Sequence, residues 1–99
     1  MRYEIVLSDE AKQHLRGLTA RQRQTAVDAI DRQLAYQPTV VTRNRKRLRS
    51  SLIATWELRV GDLRVYYDVE DEPGPCVEVT AVGVKTHNRV RIGNEEVEP

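Results

Sequence analysis

The stretch Trp56-Glu57-Leu58-Arg59-Val60-Gly61-Asp62-Leu63-Arg64-Val65-Tyr66-Tyr67-Asp68-Val69 decides the fold of this 99-residue chain. It reads as two antiparallel strands joined by a two-residue turn, Gly61-Asp62. Glycine at the first turn position accepts the positive φ that a tight hairpin turn demands. The turn sets Val60 opposite Leu63 and Arg59 opposite Arg64. Alternation then places Trp56, Leu58, Val60, Leu63, Val65, Tyr67 and Val69 on one face, and Glu57, Arg59, Arg64, Tyr66 and Asp68 on the other. The first face is a core. The second holds two guanidinium groups side by side across the strand pair, an unfavourable contact unless an anion lies near. Either Glu57 and Asp68 neutralise the arginines on a solvated sheet face, or the face meets an anionic partner.

Working outward toward the N-terminus, Pro38 to Ser51 has no clear periodicity and reads as a loop. It carries Arg43, Arg45, Lys46, Arg47 and Arg49 within seven residues. Such a run is either a solvated loop or a phosphate contact; a polyanion rewards five clustered cations best, and Arg59 and Arg64 extend the same surface. Before it, Thr19 and Gln22 match a capping box, and Ala26, Val27, Ile30 and Leu34 form the apolar stripe of a helix ended by Pro38. An earlier helix starts at Ser8-Asp9-Glu10, a Ser cap followed by two acids, with Ala11, Leu15 and Leu18 on one side. His14 falls beside that stripe and reads as a surface residue without a role. Tyr3, Ile5 and Leu7 alternate with Arg2, Glu4 and Val6, the pattern of a short first strand.

Toward the C-terminus, Glu70-Asp71-Glu72-Pro73-Gly74-Pro75 is an acidic turn. Val77, Val79 and Ala81 alternate with Glu78, Thr80 and Val82 as a further strand, ended or bent by Gly83. Val90 and Ile92 fit a last short strand. The expected order is β-α-α-β-β-β(-β), an α+β fold with two N-terminal helices packed on one face of a mostly antiparallel sheet. One domain covers 1–93, and 94–99 is a loose acidic tail.

Composition narrows the chemistry. The net charge of +1 conceals a basic run and the terminal acids Glu95, Glu96 and Glu98, and patches steer partners more than totals do. Cys76 is the single cysteine, which excludes an intrachain disulfide and a cysteine-based zinc site. No apolar run has the length of a signal peptide or a membrane span, so a cytoplasmic protein is expected. There is no phosphate-cradling glycine loop, zinc-protease histidine pair or Gly-x-Ser-x-Gly elbow, and neither metal nor cofactor is expected. What remains is the arginine face together with Lys85, His87, Arg89 and Arg91. These can bind RNA phosphates. They can also serve cleavage, in which a ribose 2′-hydroxyl attacks its neighbouring phosphate with a base, cations for the phosphorane and an acid for the leaving oxygen. Arg64 and Lys85 would be the cations. His87 has an unperturbed pKa near neutrality, and is either the proton-transfer group or a loop histidine with no role.

The hairpin motif, the acidic turn and Val79-Thr80-Ala81-Val82-Gly83 together resemble the RelE/ParE superfamily, the toxin halves of type II toxin–antitoxin modules. The likeness runs over nearly the whole chain, and the arginine after the hairpin turn is its most specific mark. It implies the fold derived above and a small cognate antitoxin that wraps the toxin. RelE-like members cut mRNA on the ribosome; ParE-like members poison DNA gyrase. On residues, the resemblance carries the family's arginine onto Arg64 and a second cation onto Lys85. Thr55 and Glu57 stand where RelE has two lysines, and Arg91 where it has a catalytic tyrosine; other members use a C-terminal histidine, which would fall on His87. Three activities follow as expectations: a ribosome-dependent mRNA endonuclease with Arg64, Lys85 and His87 as catalytic residues and Arg43, Arg45, Lys46, Arg47, Arg49, Arg59, Arg89 and Arg91 on RNA; a gyrase inhibitor without nuclease activity; or a degenerate toxin fold that only binds antitoxin.

Overall fold

Gly61 takes φ +57 and closes the turn between strands Trp56–Val60 (β3) and Leu63–Glu70 (β4) in the expected register, Arg59 opposite Arg64 and Val60 opposite Leu63. The computed structural model describes residues 2–49, 51, 53–93 and 95–97. Around the hairpin lie β1 (Glu4–Leu7), α1 (Asp9–Arg16), α2 (Ala20–Leu34), β2 (Arg45–Arg47), β5 (Cys76–Thr86), β6 (Arg89–Ile92) and β7 (Glu95–Val97). The sheet runs β2-β3-β4-β5-β6-β7 with antiparallel neighbours, and β1 lies parallel to β5. This is the expected α+β architecture with two short strands added. β2 forms inside the stretch read as a loop, because three residues opposite Trp56, Glu57 and Leu58 are too few to display a period. β7 pairs with β6 where a loose tail was expected; residues 94, 98 and 99 lie outside the described residues.

Both helix starts form as read. The Ser8 hydroxyl accepts the Ala11 N–H at 3.1 Å, and Thr19 and Gln22 exchange the two bonds of a capping box. Arg23 then fastens the helical hairpin: its guanidinium donates to the carbonyl of Leu15, which also accepts the Leu18 N–H, and to that of Leu18, at 3.0 and 3.1 Å. Ala11 and Leu15 of α1 and Ala26, Ala29, Ile30 and Leu34 of α2 pack on Trp56, Leu58, Leu63, Val65, Tyr67, Val77, Val79 and Val82. Ala29 takes the inward place expected of Val27, which is exposed. Trp56 and Tyr67 stack with centroids 6.2 Å apart, and the Tyr67 hydroxyl donates to the Pro38 carbonyl at 2.6 Å. Among the described residues no helix is long and apolar enough to cross a membrane.

β5 departs from simple alternation. Tyr66 pairs with Ala81 but Tyr67 with Val79, so Thr80 is bulged out of register. A single extra residue reverses which face the following side chains meet. Ala81, expected beside Val77 and Val79, joins a second cluster, and Val82 takes the helix side. The second cluster comprises Ala54, Tyr66, Ala81 and Val90 with Leu48, Ile53 and Ile92. The β2–β3 connection thereby covers part of the sheet face that the sequence left open to solvent.

The bulge also sits where β5 changes partners. β1 pairs with residues 76–79 and β6 with 83–86. In the interval α1 supplies the hydrogen bonds: the Ser8 N–H donates to the Val79 carbonyl and its hydroxyl to that of Thr80, while His14 Nδ1 accepts the Val82 N–H at 3.2 Å.

Gly83 follows immediately. A methyl group there would lie 2.7 Å from the Arg91 carbonyl oxygen and 2.8 Å from side-chain carbons of Val90 and Ile92. Gly83→Ala is expected to cost about 1–3 kcal/mol through forced displacement of β6. Thermal unfolding monitored by circular dichroism checks this, with Gly74→Ala, where a methyl group meets nothing within 4 Å, as the tolerated comparison.

Candidate nucleic-acid interface

Register fixes which side chains share the face turned away from the helices. One row runs Lys46, Glu57, Tyr66, Ala81; the next runs Arg59, Arg64, Gly83, Ile92, Glu95; a third holds Lys85, Val90 and Val97. Arg64, Arg59, Lys85 and Lys46 therefore share one face. The two facing arginines are relieved by different partners. Arg59 Nε lies 2.7 Å from Glu57 Oε1, whose carboxylate is buried. Arg64 Nη1 donates to the carbonyls of Gly61 and Leu63 at 2.7 and 2.9 Å, and the residue is 7% exposed. The expected neutralising role holds for Glu57. Asp68 instead accepts the Thr55 N–H at 2.7 Å, which ties down the start of β3.

Tyr66 is buried between these groups. Burial first, and then the Glu57 carboxylate, push its phenol well above the ordinary range despite Arg64 and Arg59. It keeps its proton at any physiological pH, so it is neither a base nor a ready acid. A tyrosine beside a buried carboxylate on an arginine face went unnoticed in the sequence, although the alternation already placed it there.

The basic run is divided. Arg43, Lys46, Arg47 and Arg49 are exposed. Arg45 is buried and donates to the carbonyls of Val40 at 2.9 Å and Gln33 at 3.0 Å, so it pins the loop to α2 and does not present itself to phosphate as expected. Register with Leu58 explains this, since that position faces the helices.

Arg89 and Arg91 do not join Arg64. They pair with Thr86 and Val84, which puts them on the helix side of the sheet, where Arg89 Nη1 lies 3.6 Å from Glu96 Oε2. His87 is exposed at the β5–β6 turn with φ +58. It stands in the turn, four residues beyond Gly83, the partner of Arg64. His87, Arg89 and Arg91 instead line a groove of ≈ 1530 Å³ between α1 and the β6–β7 end of the sheet, with Glu10, His14 and Glu96. Neither Arg64 nor Lys85 lines it.

His14 is the residue the sequence undervalued. Its bond to Val82 requires an unprotonated Nδ1, which leaves the proton on Nε2. Partial burial lowers its pKa, with Glu10 opposing.

The α+β architecture matches that of a solved structure from a RelBE-type toxin–antitoxin complex. The chain is similar to a chain from the crystal structure of the RelBE2 toxin–antitoxin complex of Mycobacterium tuberculosis, with 26% identity and a TM-score of 0.74 over 86% of this chain and 100% of that one. The resemblance read from the hairpin thus holds in three dimensions. No protein-family model matches the chain, and no curated protein does.

Because the folded-state pKa of His14 lies below the unfolded value, its contribution to stability is complete above about pH 6.5 and declines as pH falls through the folded pKa. Urea midpoints measured from pH 7.5 to 5 are expected to fall more steeply in the wild type than in His14→Asn, whose amide oxygen can accept the Val82 N–H at every pH.

Proposed function

We propose that the chain is the toxin of a type II toxin–antitoxin module, and that it binds RNA through the face opposite its helices and cleaves mRNA on the ribosome. The observation that carries this reading is the Arg59–Arg64 pair, held across the hairpin by Glu57 and by backbone carbonyls. Two guanidinium groups against one carboxylate leave that part of the face cationic. Arg64 is fixed before any ligand arrives, so it spends little reorganisation on stabilising charge that develops on a phosphorane. Lys85 lies on the same face two residues from the partner of Arg64 and would be the second cation. The exposed Arg43, Lys46 and Arg49 would hold ribosomal or messenger RNA backbone, whereas Arg47, opposite Trp56, lies on the helix side. A cognate antitoxin would set acids against the basic run Arg43–Arg49.

One observation favours a second reading. His87 lines the groove beside α1 with Arg89 and Arg91, and Arg64 does not, so the expected proton-transfer group and the expected cation do not share one site. A toxin that binds without cutting, such as a gyrase inhibitor, needs no such group.

The test adds purified chain, freed of antitoxin, to ribosomes translating a defined mRNA and maps the new 5′ ends. The nuclease reading expects ribosome-dependent cuts in the A site, reduced on the order of 100-fold or more in Arg64→Ala. Antitoxin binding and the circular dichroism spectrum should be unchanged in that variant. Intact mRNA with folded protein overturns it, and loss of gyrase supercoiling under the same preparation supports the second reading.

A further inference from the structure

Arg89 and Arg91 reach the helix side of the sheet at its last strand pair, and the residue opposite them is an acid. Glu96 is the register partner of Arg91, and its carboxylate lies 3.6 Å from the Arg89 guanidinium. One carboxylate therefore pairs with Arg89 and stands across the strand from Arg91, and both arginines line the groove beside α1. The strand carrying it has three residues and lies at the sheet edge, where pairing is weakest. The pair itself is exposed, at 62% for Arg89 and 50% for Glu96. An exposed ion pair of this kind shifts an equilibrium by a factor of up to about five. This is a latch that opens readily and not a lock.

We propose that β7 is an acidic guard strand, with Glu96 paired to Arg89 and standing across from Arg91, so that a phosphate chain must displace it from Arg89 to use the two arginines together. The arginines form a second anion-binding position, on the opposite side of the sheet from Arg64. RNA seated on the Arg64 face and continuing round the β6–β7 edge would meet this position, and the guard reduces its pull on short or stray polyanions. The proposal rests on the reading that the chain binds RNA. Its physics needs only a competing polyanion.

The test measures binding of a short single-stranded RNA by fluorescence anisotropy at low salt for wild type, Glu96→Gln and Glu72→Gln. Glu72→Gln makes the same charge change in the acidic β4–β5 turn. Glu96→Gln is expected to tighten binding about threefold, and Glu72→Gln by clearly less. The gain should shrink as salt rises, because exposed pairs are screened. In an Arg89→Ala/Arg91→Ala background the gain from Glu96→Gln should vanish, since the coupling runs through those two side chains. Equal effects of Glu96→Gln and Glu72→Gln, or a gain that survives without the arginines, overturn the guard. Retention on heparin separates this outcome from failure of the RNA reading. If no variant binds RNA but Glu96→Gln elutes at higher salt than Glu72→Gln, the guard stands and the RNA reading falls. If the two elute together, the guard falls as well. Circular dichroism melts confirm that each variant is folded.

Discussion

The edge of β5 between its two strand partners is the constraint on which the structure depends. Three residues, Thr80 to Val82, lie between the end of β1 pairing and the start of β6 pairing. Backbone groups there would cost on the order of 1–3 kcal/mol each if buried without partners. α1 removes the problem with its own capping serine and a histidine two turns along. This fixes the position of α1 against the sheet, and through Arg23 it fixes α2 as well. The bulge at Thr80 belongs to the same solution, with its hydroxyl 3.2 Å from the carbonyls of both Ile53 and Tyr66. One irregular residue thus joins the helix layer, the central strand and the connection that covers the far face.

That far face is neither an ordinary solvated surface nor a second core. Its centre is apolar, formed by Tyr66, Ala81 and Val90 under Ile53 and Ala54. Its margin carries buried charge in Glu57 and Arg64. Buried charges are tolerated only when paired or hydrogen-bonded, and here both are. The arrangement holds cationic side chains in set positions beside a dry patch, and low local dielectric strengthens their attraction for an anion.

Much of the architecture was legible in the sequence because it rests on local rules. The Gly61-Asp62 turn, the Ser8 cap and the Thr19–Gln22 capping box each need only neighbours close in the chain. What escaped depends on contacts between distant segments. The bulge at Thr80 has no signature of its own, so the exchange of Ala81 and Val82 between faces could not be read from alternation. β2 and β7 are too short to display a period. Arg45 and His14 look like surface residues until the carbonyls of Val40 and Gln33 and the N–H of Val82 are brought to them. The candidate site was legible to the same extent. The Arg59–Arg64 pair follows from the turn, but Arg89 and Arg91 were grouped with it by charge alone, and the parity of β6 sets them on the opposite side.

The order of strands has a consequence for how the molecule approaches other charged bodies. β2, with Lys46 and Arg47, ends the sheet on one side, and β7, with Glu95 and Glu96, ends it on the other. At the β7 end Arg89 and Arg91 of the neighbouring strand offset the two acids, whereas Arg43, Lys46, Arg47 and Arg49 stand exposed at the β2 end, so cationic charge is concentrated at one end of a molecule whose net charge is only +1. In the field of a polyanion such a molecule feels a torque before it feels much net attraction. Such a field would turn the β2 end forward, so the orientation of first contact would be selected ahead of any specific bond.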